Sequence, residues 1–203
     1  MSGDRLGDRG QAFPIYAVVV VGLLFAAFAF FAVAQAAVTR SDAQGAADAA
    51  ALAAAKDARD HLAAGLVLAD LQPEDWAEVL NGRLFDPGGA CGKASSFAEQ
   101  NGAKASSCTV SDLRFMVVVE TRRSVGISVV PGTDVQHAIA DATAVIEPRC
   151  HLGRSSLPAE GSAPGRGPVN IACKGGKEIS FDPSKPDQWR VLGTDLFDVR
   201  LTD

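Results

Sequence analysis

Four cysteines, Cys91, Cys108, Cys150 and Cys173, are the residues best suited to covalent chemistry in this 203-residue chain, and all lie in its C-terminal part. An even number of cysteines gathered in one small region suits two disulfides made in an oxidising compartment. Sequence leaves the connectivity open in principle. The pairs Cys91–Cys108 and Cys150–Cys173 are favoured, because each brackets a loop-like segment rich in Gly and Ser. Each bridge would stabilise its domain by about 2–4 kcal/mol. The competing reading is a metal site, for which His151 beside Cys150 is the only hint, since no C-x-x-C spacing occurs.

Other chemistry-bearing patterns fall short. Gly92-Lys93 has Pro87 where a phosphate loop opens on glycine, and Ala94 where it needs Ser or Thr. Gly153-Arg154-Ser155-Ser156-Leu157 ends in leucine where a nucleophile elbow needs glycine. His61, His137 and His151 are isolated, and there is no H-E-x-x-H. Lone polar residues of this kind read as surface. The sequence therefore selects no catalytic residue, cofactor or metal, and no enzyme assignment follows. The net charge of −5 and the lack of a basic cluster, apart from Arg122-Arg123, argue against nucleic-acid binding.

The element that must position the cysteine-bearing region is far more legible. From Ala12 to Thr39 the chain carries no charged residue. A helix spanning a bilayer needs roughly 20 mostly apolar residues, and this run exceeds that. Its fourteen Val, Ile, Leu and Phe residues give a gross insertion free energy of about −6 kcal/mol. Pro14 lies in the first turn, where a missing N–H costs little, and Tyr16 suits the interface. A buried core helix would rarely be apolar on every face for so long. A cleaved signal peptide is the other alternative, with Ala34-Gln35-Ala36 as its small-x-small site, but the apolar region is longer than such peptides use. Lysine and arginine placement scarcely decides orientation: Arg5 and Arg9 precede the run, and Arg40, Lys56 and Arg59 follow it. The cysteines decide better, placing the C-terminal domain outside the cytoplasm and the N-terminus inside.

An alanine-dominated stretch follows, from Ala43 to Ala69. Alanine is the best helix former, so the apolar helix is expected to continue as a thin stem. That stem is either a solvated stalk or a packing surface for other helices. Gln72-Pro73 ends or bends it, and Pro73-Glu74-Asp75-Trp76 starts a fresh helix that stops by Asn81-Gly82. Asp86-Pro87-Gly88-Gly89 reads as a turn, and residues 90–108 as a small-residue loop with a helical turn near Phe97–Gln100. Period-two alternation marks strands at Leu113–Val119 and Val125–Val129, linked as a hairpin through Arg122–Ser124, with a turn at Pro131–Asp134. Residues 135–146 fit either a helix face or a strand; a strand is chosen, ended by Pro148. Residues 153–168 are a loop by composition. Short strands at Val169–Cys173 and Glu178–Phe181 flank Gly175-Gly176. A helix opens at Pro186, and a last strand runs through Phe197, Val199 and Leu201.

The resulting expectation is an α+β chain. A leader, residues 1–10, precedes a transmembrane helix, 11–39, and a helical stem, 40–71. A small, disulfide-bonded, mainly antiparallel β domain occupies 72–203.

The leader, anchor and stem resemble the N-terminal region of the TadE/TadG-like family of the Flp (tight-adherence) pilus-assembly system. The likeness rests on Arg9-Gly10 before the apolar run, and on the closing stretch with Gln44, Ala47, Asp48, Ala49, Ala50 and Leu52. It covers about residues 8–56. It implies a pilin-like architecture, processing between Gly10 and Gln11 as one option, and membrane lipid and pilin-like proteins as partners. Filament-forming pilins usually carry glutamate at the fifth position after such a cut. Here that position is Ile15, which favours the TadG-like branch and an accessory or minor subunit. The alternative function is a stand-alone, membrane-tethered binding domain.

Overall fold

The computed structural model describes residues 12–62, 67–84, 87–126, 132–153, 168–183, 185 and 187–202. The first element, α1 (Ala12–Asp60), is a single uninterrupted helix of 49 residues, about 73 Å long at 1.5 Å per residue. Its two halves meet different surroundings. Up to Val38 the large apolar side chains are exposed, with Phe13 and Phe30 each nearly four-fifths accessible. From Ala43 onward one face is buried: Ala43, Ala47, Ala50, Ala54 and Ala58 recur at three- and four-residue spacing, ending in Leu62.

The stem is therefore neither a solvated stalk nor a free packing surface. Its alanine face lies against the chain's own sheet and against a second alanine-faced helix. The helix also closes earlier than residue 71. His61 N–H reaches back to the Asp57 and Ala58 carbonyls, Leu62 N–H reaches Arg59, and Leu62 turns into the core. Leu68–Asp70 is a separate 3-10 turn.

Next comes α2 (Pro73–Leu80), with proline in its first turn and the Gln72 N–H donating to Asp75 Oδ2 at 2.9 Å. Gly82, at φ 70°, releases the chain. Residues 90–108, expected as a loop, instead form α3 (Ala90–Gln100) and the first part of β1 (Ala103–Ser111). The reason is packing: Ala90, Ala94 and Ala98 make a fully buried stripe, and α3 lies on α1. Small side chains on both helices allow the backbones to approach closely.

Strand β2 (Arg114–Ser124) returns from β1 through Asp112, whose positive φ of 52° is tolerable for aspartate. The first hairpin is thus β1–β2. Arg122–Ser124 continue the strand rather than turning it, and Val125 and Gly126 follow as a bend. Ile127, Val129 and Pro131 lie outside the described residues. A 3-10 turn, Thr133–Val135, leads into β3 (His137–Pro148), the strand reading of that ambiguous segment. Then follow β4 (Cys150–Leu152), β5 (Val169–Cys173), β6 (Glu178–Phe181), α4 (Asp187–Leu196) and β7 (Phe197–Thr202).

One antiparallel sheet has the order β1-β2-β3-β7, and a smaller one has β4-β5-β6. In the large sheet Phe115, Val117, Val119, Ala142, Ala144 and Ile146 face inward with the α1 alanines. The small sheet packs Ile171 and Phe181 beneath α2, where Trp76 meets Phe181 edge to face at 5.5 Å. Disulfides join Cys91 to Cys108, tying α3 to β1, and Cys150 to Cys173, across the β4–β5 pair.

Candidate membrane and assembly interface

The site is built where α1 leaves its domain. The β2 face that meets α1 reads, in order, Phe115, Val117, Val119 and Thr121, all buried, because side chains on one face recur every second residue. The pairing of β2 with β3 is irregular between Glu120 and Ser124, and the exposed Arg122 and Arg123 fall there, at the end from which α1 projects. Thr121 fixes that end: its Oγ1 donates to the Arg123 carbonyl at 2.8 Å and accepts the Ala138 N–H at 3.0 Å. His137 Nδ1 lies 2.7 Å from the Thr121 carbonyl. Beyond Arg123, Gly126 comes so near α1 that a Cβ there would meet Gln35 Oε1 at 3.6 Å.

A groove of about 1000 Å³ separates this end of the sheet from the helix. Phe31, Ala34 and Val38 line one wall, and Arg122 and Arg123 the other, with Asp42 in the same lining. Arg122 pairs with Glu99 on α3 at 3.3 Å, both half-exposed, an arrangement worth roughly 0–1 kcal/mol. Arg123 makes no ion pair among the described residues. The opposite end of the large sheet carries an ion pair of Arg200 with Glu147. The hydrogen bond from Arg200 holds the Glu147 carboxyl below its usual range; partial burial opposes this, while the charges of Arg200 and Lys174 reinforce it.

The family-motif residues of the stem divide by face. Ala47 and Ala50 are buried in the core, whereas Gln44, Asp48, Ala49 and Leu52 lie at its edge or outside. Gln44 Nε2 donates to Asp48 Oδ1 at 2.9 Å and to the Asp141 carbonyl at 3.2 Å. Arg9, Gly10 and Gln11 lie outside the described residues. His61 Nδ1 lies 2.7 Å from the Asp57 carbonyl, and His151 is exposed on β4. Gly92-Lys93 sits inside α3 and forms no loop. Among the described residues, no three or more His, Cys, Asp or Glu side chains stand close enough to share a metal ion.

A helix whose first half exposes a long run of apolar side chains, and whose second half is the spine of an α+β domain, is compatible with single-pass membrane anchoring. Residues 10–57 match the family described as "Putative Flp pilus-assembly TadE/G-like". No curated protein and no solved structure matches the chain. The TadE/G-like segment runs from just before α1 to within one turn of its end, and so covers both the exposed and the docked halves. That family is a pilus-assembly component rather than an enzyme class. The Arg122-Arg123 pair is visible in the sequence, but its place is not. Its position beside the exposed half of α1 depends on where β2 stops relative to that helix.

Proposed function

We propose that this protein is a single-pass, membrane-anchored accessory or minor subunit of a Flp-type pilus-assembly or secretion apparatus, and that it has no catalytic role. The N-terminus lies in the cytoplasm. The domain from residue 72 onward faces outward, where its two disulfides can form. The single observation that carries this reading is the coincidence of the TadE/G-like match with α1, one continuous helix that serves as both anchor and domain spine. Ile15 at the fifth position after Gly10 supports an accessory place over a major filament subunit. A carboxylate there would be costly in lipid unless paired, and this chain has none.

Because the alanine face is spent on the protein's own core, partner helices have access to the side of the stem turned away from it, where Lys56 is exposed. A photo-crosslinking residue at Lys56, in cells making the Flp components, should capture pilin-like subunits. Capture of none would transfer the assignment to a stand-alone tethered binding domain. Sequencing the mature N-terminus tests the anchor separately. A start at Gln11 or an intact terminus retains the anchor, and a start at Ala37 removes it.

A further inference from the structure

We propose that the groove between α1 and the end of β2 seats the headgroup of a membrane phospholipid, its phosphate on Arg122 and Arg123 and an acyl chain along Phe31 and Ala34. The inference rests on the anchor reading above.

Depth is the first argument. Gly126 touches the level of Gln35, so the domain already flanks the helix there. Among the described residues, that leaves 13–34 to cross the hydrocarbon beyond the domain, a length of about 33 Å against a core of about 30 Å. The groove then lies at the level of the lipid phosphates.

Charge is the second argument. The chain is acidic overall, at −5, yet two arginines, Arg122 and Arg123, line this wall. Arg123 has no ion-pair partner among the described residues. Arg122 shares only an exposed pair with Glu99. Planar guanidinium groups bind phosphate oxygens in bidentate fashion. Asp42, in the same lining, is placed to meet the ammonium of a zwitterionic headgroup. The apolar wall of Phe31, Ala34 and Val38 is continuous with the lipid-exposed face of α1, so one molecule can satisfy both walls.

The test uses the full chain extracted from membranes in mild detergent, stripped of lipid, and titrated with phosphatidylethanolamine and phosphatidylglycerol while native mass spectrometry counts bound phospholipid. The wild-type protein should retain lipid that R122Q/R123Q loses, with affinity falling at least about tenfold, the change expected for one charge-assisted hydrogen bond. Both arginines are exposed, and circular dichroism checks that the variant folds. A second variant, Gly45→Leu, fills the groove where an added Cβ meets nothing within 4 Å, and it removes a helix-interior glycine. It should also lose the lipid. Equal retention by wild type and R122Q/R123Q overturns the inference, as does a second copy of the chain found in the groove. A wild-type protein released from membranes by alkaline carbonate overturns the anchor reading instead, so the two failures are distinguishable.

Discussion

Gln44 and Asp141 meet across the seam between the long helix and the sheet, Gln44 Nε2 donating to the Asp141 carbonyl at 3.2 Å. Among the described residues β7 pairs with β3 from Thr143 onward, and Asp48, one turn on along α1, holds the Gln44 side chain through Oδ1 at 2.9 Å. Replacing Gln44 with alanine should cost about 1 kcal/mol, read as a lowered melting temperature of the full chain in detergent. An unchanged melting curve would show that water replaces the bond at no cost.

The buried alanines tolerate no enlargement. Ala54 has no accessible surface in the packed core of the stem. Ala54→Leu should destabilise the domain by about 1–3 kcal/mol through overpacking. Lys56→Leu, on the exposed side, should lie within about 0.5 kcal/mol of wild type. Comparing the two melts separates steric from hydrophobic effects.

The anchor makes a quantitative prediction. An arginine near the middle of a spanning helix costs about 2.5–3.5 kcal/mol, less than the gross insertion free energy estimated for the run. Leu24→Arg alone should remain in the membrane fraction after alkaline carbonate. Leu24→Arg with Phe28→Arg should bring the balance near zero and release much of the protein.

Glu147 gives the stability a pH signature. Its carboxyl titrates below the usual value in the folded chain because Arg200 donates a hydrogen bond to it. A depressed folded pKa contributes stability above the unfolded pKa, and that contribution disappears as pH falls through the folded pKa. Glu147→Gln should therefore melt lower than wild type near neutral pH, and the gap should close on acidification below the folded pKa. A gap that persists at low pH would assign the loss to packing rather than ionisation.

Reduction tests the bridges. Removing Cys91–Cys108 by paired alanine substitution should cost about 2–4 kcal/mol. It frees α3 from β1 at a point where helix packing relies on alanine alone. Thermal melting with and without thiol should show a drop in wild type that the paired variant no longer displays for that bridge.

Much of the architecture was legible because large apolar residues mark it. The uncharged run of α1, the alternation of Phe115, Val117 and Val119, and the proline-led start of α2 all carry local signals that survive in the folded chain. Helix α3 escaped because its stripe is Ala90, Ala94 and Ala98 among Gly and Ser. Alanine contributes little burial by itself, and its role becomes visible only when another thin helix lies opposite. The stem is ambiguous in the sequence for the same reason: alanine spacing reveals a face but not what covers it. The groove depends on tertiary placement entirely, since nothing local relates Arg123 to Val38.

The continuity of α1 has a mechanical consequence. A hinged tether would let the domain swing while the exposed arm of the helix stayed still. Here a pull on the exposed end of α1 enters the folded body through the buried row from Ala43 to Leu62. Load is then resisted in shear by every contact along the row at once, rather than being released one contact at a time. A domain mounted in this way passes displacement of its foot directly to its outer surface.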